Sequence, residues 1–340
     1  MYSSPIESLK RGSWVKLICG ASYQHLPFIR NLALIYTLAG VDCIDVAAYK
    51  AVILAALEGI EVALDLQPSP RPFLMISIND GEDPHFRKAS FNSNLCPPDC
   101  HRPCQTICPA GAINFLKYNG IHKELCYGCG RCLPVCPIGI IDTESHIVSA
   151  HVVLKWLDEL PIDAIEIHTQ QGHWDRFTNL WQTVRPYLAK LKLIAISCPY
   201  ANDVISYLRQ IHQYVQPVTI PLIWQTDGRP MSGDIGEGTT HLTIKYAQQV
   251  RQLNLKGFIQ LAGGTNEHTI TKLKSLNLIP AIAGIAYGSK ARRLVYPILQ
   301  KLEETTIDNK LEKHPSLLWE AVRIARQLVS PLKQAVLQER

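Results

Sequence analysis

Eight of the eleven cysteines lie between positions 96 and 136, and no other feature of the sequence restricts the fold as strongly. They form two blocks. The second block reads CYGCGRCLPVCP, which is C-x2-C-x2-C-x3-C-P. The first reads CPPDCHRPCQTICP, in which the first two gaps are one residue wider. The chain must therefore fold around two loops of closely spaced thiols, which are Cys96, Cys100, Cys104, Cys108, Cys126, Cys129, Cys132 and Cys136.

This spacing is typical of proteins that bind two iron–sulfur clusters, because three thiolates of one loop and the Cys-Pro thiolate of the other ligate each cluster. We expect two [4Fe–4S] clusters, and the wider first block leaves a [3Fe–4S] cluster open there. One cluster takes Cys96, Cys100, Cys104 and Cys136, and the other takes Cys108, Cys126, Cys129 and Cys132. Each Cys-Pro cysteine is expected to begin a helix.

Structural zinc is the alternative use for such cysteines. A zinc site takes four ligands, commonly as two pairs, so it needs neither a third cysteine nor a Cys-Pro in each block. Iron and sulfide are therefore favoured. Between the cysteines of the second block, Gly128 and Gly130 are expected to let the backbone close around the sulfides.

The composition indicates a cytoplasmic globular protein with reduced thiols. The N-terminus MYSSPIESLKRGSW has no apolar signal core, and no apolar run reaches the ~18 residues of a membrane span. The 34 Lys and Arg residues exceed the 29 Asp and Glu residues by 5, which is mild for 340 residues and indicates neither nucleic acid nor membrane as a partner. A disulfide framework is not expected in this compartment.

Outside the cysteine region the chain alternates between short β-rich runs and longer helical runs. This pattern predicts a (β/α)8 TIM-like barrel, with an open doubly wound α/β sheet as the alternative. We expect a first barrel part at 1–90, a ferredoxin-like insert at 91–147, a second barrel part at 148–302 and a helical extension at 303–340. The predicted strands are 15–19, 43–47, 73–79, 164–169, 193–198, 221–227, 257–262 and 280–286.

The insert follows the third strand, so the clusters are expected at the C-terminal mouth of the barrel. Side chains alternate between the two faces of a strand, so if the isoleucines face outward, a set of polar side chains faces the barrel interior. These side chains are expected to line a ligand pocket or to form an internally satisfied hydrogen-bond network. That set is Asp45, Ser77, Asn79, Glu166, His168, Ser197 and Gln260. The sixth strand departs from the rule, because Ile223, Gln225 and Asp227 share a face. With the isoleucines placed outward, no lysine is expected to point into the barrel beside a cysteine or tyrosine at its mouth.

The last two strands end in glycine-containing turns, LAGGTNEH and GIAYGSKARR. Loops at this place in barrels commonly bind phosphate through backbone N–H groups, although ordinary turns also use glycine. The candidate residues for phosphate or FMN are Gly263, Gly264, Thr265, Gly288, Ser289 and Lys290.

The N-terminal run SPIESLKRGSWVKLICGASYQHLPFIRNLALIYTLAGVDCIDVAA, together with both cysteine blocks, resembles the cyanobacterial light-dependent period family over nearly the whole chain. The resemblance implies an iron–sulfur input component of the circadian clock that senses redox state. It implies the Kai system and input kinases as partners. For a redox sensor of this kind, a quinone or a ferredoxin is the candidate redox signal. No catalytic residue is carried over. The alternative is an iron–sulfur oxidoreductase, with or without flavin, that acts on a substrate in the barrel mouth.

Overall fold

A closed barrel of eight parallel strands forms the body of the protein. The computed structural model describes residues 3–81, 86–108, 110–117, 119–126, 128, 130–145, 149–228, 240–306 and 308–338. The strands of the chain are β1 (Trp14–Gly20), β2 (Cys43–Ala47), β3 (Phe73–Asn79), β4 (Arg87–Ser90), β5 (Ile113–Asn114), β6 (Gly120–Ile121), β7 (Asp142–Ser145), β8 (Ala164–His168), β9 (Leu193–Pro199), β10 (Leu222–Asp227), β11 (Phe258–Ala262) and β12 (Gly284–Tyr287). The barrel order is β1-β2-β3-β8-β9-β10-β11-β12, and β12 pairs with β1. The barrel is confirmed, and the open sheet is excluded.

Helices cover the outside of the barrel. The helices of the described residues are α1 (Pro5–Arg11), α2 (Leu26–Ala39), α3 (Lys50–Leu66), α4 (Pro103–Ile107), α5 (Cys132–Val135), α6 (Ala150–Lys155), α7 (Trp174–Val184), α8 (Val204–Val215), α9 (Thr240–Gln252), α10 (Thr269–Ser275), α11 (Ser289–Thr305) and α12 (Pro315–Gln338). Of these, α1 lies at the N-terminal end of the barrel, and α4 and α5 belong to the cysteine region. Because helices lie against the outward strand faces, both faces of each strand are buried, as a parallel barrel requires. No helix within the described ranges is long and apolar enough to cross a membrane.

The barrel interior is layered. At the N-terminal end an apolar layer includes Trp14, Met75 and Ile223, and Leu9 of α1 packs against it. The next inward positions are polar, so Gln225 and Asp227 follow Ile223 on the same face of β10. The apparent irregularity of the sixth strand is thus the step from the apolar layer to the polar mouth.

The cysteine region lies between β3 and α6 as a small unit with two antiparallel pairs, β4 with β7 and β5 with β6. Arg87 of β4 pairs with Ser145 of β7, so this pairing reaches beyond residue 91, where the insert is predicted to begin. Its buried side chains, including Ala112 and Leu125, belong to the same hydrophobic cluster as the barrel's outer core.

Three contacts fix this unit over the barrel mouth. Gln24, in the loop after β1, donates its backbone N–H to the carbonyl of Glu124 at 3.2 Å. Lys88 Nζ donates to Gln24 Oε1 at 2.7 Å. The Phe86 ring lies edge-on to His168 of β8, with ring centroids 5.2 Å apart. The insert therefore covers the C-terminal face, as its position in the chain predicted.

The C-terminal region ends in α12, whose apolar stripe packs onto the barrel. Leu318, Ala321, Val322 and Val329 are buried there. Two polar contacts add to this packing. Arg326 donates to the carbonyl of Leu38 at 3.0 Å, and Lys333 Nζ contacts Asp42 Oδ2 at 2.7 Å.

Candidate functional site: two cysteine turns above a charged barrel pocket

The two cysteine blocks fold as structural repeats. Helix α4 ends at Cys108 and α5 ends at Cys136, with nearly identical backbone angles (φ −69°, ψ 108° and φ −71°, ψ 112°). After each, a glycine at positive φ, Gly111 or Gly139, donates its N–H to the cysteine carbonyl, at 3.3 and 3.2 Å. The Cys-Pro cysteines thus end helices, and the expectation that they begin helices is wrong. The proline explains this, since it disfavours helical backbone in the residue before it.

The backbone accommodates the wider cysteine spacing of the first block at Arg102. This residue adopts the left-handed conformation (φ 52°) just before α4. Its N–H donates to Cys100 Sγ at 3.4 Å, and its guanidinium lies 4.2 Å from the centre of the Phe115 ring. In the second block Gly128 and Gly130 hold positive φ (72° and 71°), which confirms the conformational reason for those glycines.

Four thiols of the described region come together as one group. Burial raises the pKa of Cys96, and the neighbouring thiols of Cys100 and Cys136 raise it further. Cys104 has its pKa raised by burial, and it also interacts electrostatically with Cys136 and Cys96. The structure therefore brings together Cys96, Cys100, Cys104 and Cys136, the set assigned to one cluster.

The backbone around Cys136 favours the thiolate form of its side chain. Burial acts to raise its pKa, but the backbone N–H groups of Ile140, Ile138, Ile141 and Gly139 donate toward its sulfur and lower the pKa overall. A ring of amide donors around a cysteine sulfur stabilises negative charge, and hydrogen bonds of this kind tune iron–sulfur potentials.

Of the second set, Cys108, Cys126 and Cys132 are described, and Cys129 lies outside the described residues. Ala89 of β4 donates its N–H to Cys126 Sγ at 3.4 Å. The cation of Lys88, in the same strand, interacts electrostatically with Cys126. Burial lowers the pKa of Lys88 to about 8.

The donor chemistry fits iron–sulfur clusters. All ten described cysteines are free thiols, and the four of the first set lie together with amide donors aimed at a sulfur. Among the described residues no three His, Cys, Asp or Glu side chains converge on a single metal ion. Thiolates from both blocks are the ligands that iron–sulfur clusters take.

Below the insert, the barrel holds a buried ion cluster that the sequence analysis missed. Lys16 of β1 is wholly buried, and its Nζ contacts a carboxylate oxygen of Glu166 and, at 3.4 Å, Asp45 Oδ2. The isoleucine rule is wrong on β1, because Ile18 lines the pocket on the same face as Lys16. Barrel interiors are packed with branched apolar side chains as well, so isoleucine does not mark the outer face.

A continuous hydrogen-bond network links this cluster to the apolar layer. His168 Nε2 lies 3.0 Å from Glu166 Oε1, and Gln225 Nε2 donates to the same oxygen at 2.7 Å. Gln260 donates to Gln225 at 2.5 Å and accepts from Trp14 Nε1 at 2.6 Å.

The remaining predicted polar residues divide between this network and the rim. Ser197 Oγ accepts from Gln225 at 3.0 Å, and Ser77 Oγ donates to Asp45 at 2.8 Å. Asn79 lies at the edge of the mouth and donates to the carbonyl of Gly81 at 2.5 Å. The inward placement of the seven residues agrees with the structure, which contains both alternatives: a satisfied network beneath an open pocket.

The buried charges change the pKa values of the cluster. Burial alone lowers the pKa of Lys16, but the carboxylates of Glu166 and Asp45 outweigh it and raise the pKa overall. Burial raises the pKa of Asp45 to about 6 against the opposing effect of Lys16. For Glu166, burial is outweighed by Lys16 and His168, so its pKa is lowered.

The raised pKa of Asp45 gives a pH-dependent stability. Between pH 5 and 7 the folded protein binds this proton more tightly than the unfolded chain, so the contribution of Asp45 falls as pH rises through about 6. Relative to Asp45→Asn, the free energy of unfolding of the native protein should fall by about 1 kcal/mol from pH 5 to pH 7. Urea unfolding of both proteins at pH 5 and pH 7 measures the difference, and an equal response in both would contradict the assignment.

The six glycine-turn candidates line one pocket with the upper part of the ion cluster. Gly263, Gly264, Thr265, Gly288, Ser289 and Lys290 share it with Asp45, Ser77, Glu166, His168 and Asp227. The cavity measures about 60 Å³, and about 680 Å³ when the open space at its mouth is counted. A phosphate or FMN role for the six residues stays a prediction.

Comparison with known proteins identifies the family. The family model described as the light dependent period A C-terminal domain matches residues 156–331, and that of the LdpA Fe-S cluster-binding domain matches 96–147. The Light dependent period A protein of Synechococcus elongatus is 51% identical over 339 residues, which are 98% of this chain and 95% of the relative. The chain belongs to the light-dependent period A family. All eight cysteines of the two blocks lie within the matched iron–sulfur domain.

Two more distant similarities concern a short segment of this chain or its fold alone. An uncharacterised ferredoxin of Methanocaldococcus jannaschii is 35% identical over 52 residues, 15% of this chain and 31% of the ferredoxin. The YdjI aldolase of Escherichia coli has 7% identity and a TM-score of 0.47, with 97% of this chain and 94% of the aldolase covered. Such a weak structural likeness says nothing about activity. The family and the ferredoxin similarity support an iron–sulfur protein, and none of these comparisons supports FMN.

Proposed function

We propose that this protein is a cytoplasmic redox sensor that conveys the light-dependent redox state of the cell to the circadian clock. The observation that carries the proposal is the pair of repeated cysteine turns, with amide donors on Cys136, in a chain of the light-dependent period A family. When bound, the two [4Fe–4S] clusters supply one-electron transfer at potentials set by their surroundings.

The chain's own residues set those surroundings. The amides around Cys136 offset thiolate charge, and the cation of Lys88 does so beside Cys126. Both effects favour the more negative, reduced state and so raise the reduction potential. Cys96, Cys100 and Cys108 are only half-buried, so electrons from a quinone or ferredoxin have a short path to their loops.

The exposed apolar side chains of the insert support a partner surface near these loops. Leu95, Ile107, Leu116 and Ile138 are large apolar side chains that remain exposed on the insert. Leu95 and Ile107 directly precede Cys96 and Cys108. Exposed large apolar side chains suit protein docking. A charge change in the adjoining loops then alters the affinity for a partner, for which we propose the Kai system and its input kinases.

A decisive test compares clock period in dim and bright light for strains carrying Cys104→Ser or, as control, Cys43→Ser. Cys43 is also buried but lies in the barrel. The control should keep the light dependence of the period, and Cys104→Ser should lose it at equal protein level. A Cys104→Ser strain that still responds to light would overturn the sensor role.

Lys88→Met is expected to lower one cluster's reduction potential on the order of tens of mV, because a cation beside Cys126 is removed. Lys123→Met is the matched control, since that lysine is half-exposed and pairs with Glu144. Anaerobic redox titration followed by electron paramagnetic resonance measures both. Equal shifts in the two variants would contradict the role of Lys88. In the cell, Lys88→Met should move the light level at which the period changes.

A second candidate function is an iron–sulfur oxidoreductase. It is favoured by the place of the insert, because the chain runs from Phe86 at the mouth into β4, where Ala89 lies beside Cys126. It predicts turnover of a substrate in the barrel pocket, and FMN in the filtrate of denatured protein would support it.

A further inference from the structure

The pocket at the barrel mouth has two walls of opposite chemistry. The first wall consists of the turns after β11 and β12, at 263–265 and 288–289. The second is the floor, formed by Asp45, Glu166, His168 and Asp227, each less than a tenth exposed. A cavity that places buried ionisable groups opposite backbone turns is typical of small-molecule sites.

The first wall suits an anion. Gly263 and Gly264 both hold positive φ (63° and 101°), a conformation that glycine adopts without strain, and the lack of side chains opens the backbone to the pocket. Helix α11 begins here, and its 17 residues point their positive dipole end toward the cavity.

The charges at the start of α11 also favour an anion. A first turn usually carries acids, but here it has none. It carries Lys290 and, at the next turn, Arg292, both of which line the pocket. Lys290 pairs with Glu267 at 2.5 Å, and Arg292 donates to Ser289 Oγ at 3.1 Å, which holds both cations at the rim. Two cations at the positive end of a helix favour an anion between them.

The floor suits hydrogen-bond donors. Glu166 accepts from Lys16, Gln225 and His168, and Asp45 accepts from Ser77. A carboxylate offers about four acceptor positions, so Asp45 retains capacity toward the pocket. Carboxylates repel a phosphate and accept from hydroxyl groups. The two walls therefore set the orientation of a bound ligand, with its anionic group at the glycine turns and its hydroxyl groups at the floor.

We propose that the pocket binds a hydroxylated phosphomonoester, with its phosphate at the glycine turns and the start of α11 and its hydroxyl groups on the carboxylate floor. A free three-carbon polyol phosphate and the ribityl phosphate of FMN share this chemistry. The site is distinct from the cysteine loops, so it does not depend on the redox role.

Ser289→Asp tests the phosphate wall. An acid in the first turn favours the helix and can still accept from Arg292, but it repels phosphate. Ser316→Asp places the same charge in the first turn of α12, where the side chain is exposed outside the pocket. The probes are glycerol 3-phosphate, FMN and inorganic phosphate, titrated into anaerobic, iron-replete protein by calorimetry.

The native protein and Ser316→Asp should bind glycerol 3-phosphate or FMN, and Ser289→Asp should bind it at least about tenfold more weakly at unchanged iron content. Which probe binds identifies the source of the phosphomonoester. Asp45→Asn should reduce the preference for glycerol 3-phosphate over inorganic phosphate, since a hydroxyl acceptor is lost. Absence of binding by both organic probes, or equal binding by Ser289→Asp and Ser316→Asp, would overturn the proposal.

Discussion

Lys16→Met should destabilise the barrel by about 3–5 kcal/mol, the largest stability effect expected of a single change in this chain. Lys16 is wholly buried, and its cation balances Glu166 and Asp45 in the barrel interior. Without it the carboxylate of Glu166 is left as an uncompensated charge away from water, which costs more than the ion pair contributes. The shift of the urea midpoint under anaerobic conditions measures the loss.

Two control proteins separate this cause from simple loss of a lysine. Lys192→Met removes an exposed lysine that pairs with Asp163 at 2.7 Å, and it should cost less than about 1 kcal/mol. The double variant Lys16→Met with Glu166→Gln removes both charges and should recover much of the stability. Iron content should be unchanged throughout, because the cluster cysteines lie outside the barrel. A Lys16→Met protein as stable as Lys192→Met would contradict the account of the interior.

The second large effect concerns cluster assembly. Cys104→Ser should lose one cluster, or about four of about eight iron atoms per chain, because a serine oxygen is a poorer iron ligand than a thiolate. Cys104 and Cys136 belong to different blocks but interact electrostatically in the structure. They are therefore expected to serve the same cluster.

Double variants test this exchange of ligands between the blocks. Cys104→Ser with Cys136→Ser should retain about as much iron as either single variant, because both changes affect one cluster. Cys104→Ser with Cys132→Ser should lose both clusters. Cys43→Ser, buried in the barrel, should retain all iron. If the pair Cys104→Ser with Cys136→Ser instead loses all iron, as the other pair does, each block holds its own cluster.

Much of the fold follows from local patterns in the sequence. The strands β2 and β3 lie where the β-rich runs 43–47 and 73–79 predicted them, and a chain of strand–helix units closes into a barrel once eight are present. The cysteine spacing likewise predicts the exchange of the Cys-Pro ligand between the blocks, and the electrostatic interactions of Cys96 and Cys104 with Cys136 agree with it; the assignment of four thiols to one cluster stays a prediction.

The predictions from the sequence were wrong or incomplete where long-range contacts determine the structure, or where a rule was applied to a strand that does not follow it. Lys16 was missed because its partner Glu166 lies far along the chain, and an isoleucine was used to set the phase of β1. Its position two residues after Trp14 on an otherwise apolar strand was the available signal. The pairing of Arg87 with Ser145 is likewise a long-range contact that no local pattern shows. The ends of α4 and α5 were predictable from the prolines alone.

The central claim is that the two cysteine turns hold iron–sulfur clusters above a barrel with a separate pocket. The most direct measurement is the iron, acid-labile sulfide and zinc content of anaerobically purified protein, together with its visible spectrum. We expect about eight iron and about eight sulfide per chain with a broad brown absorption. Zinc in place of iron, with no sulfide and no colour, would contradict the account.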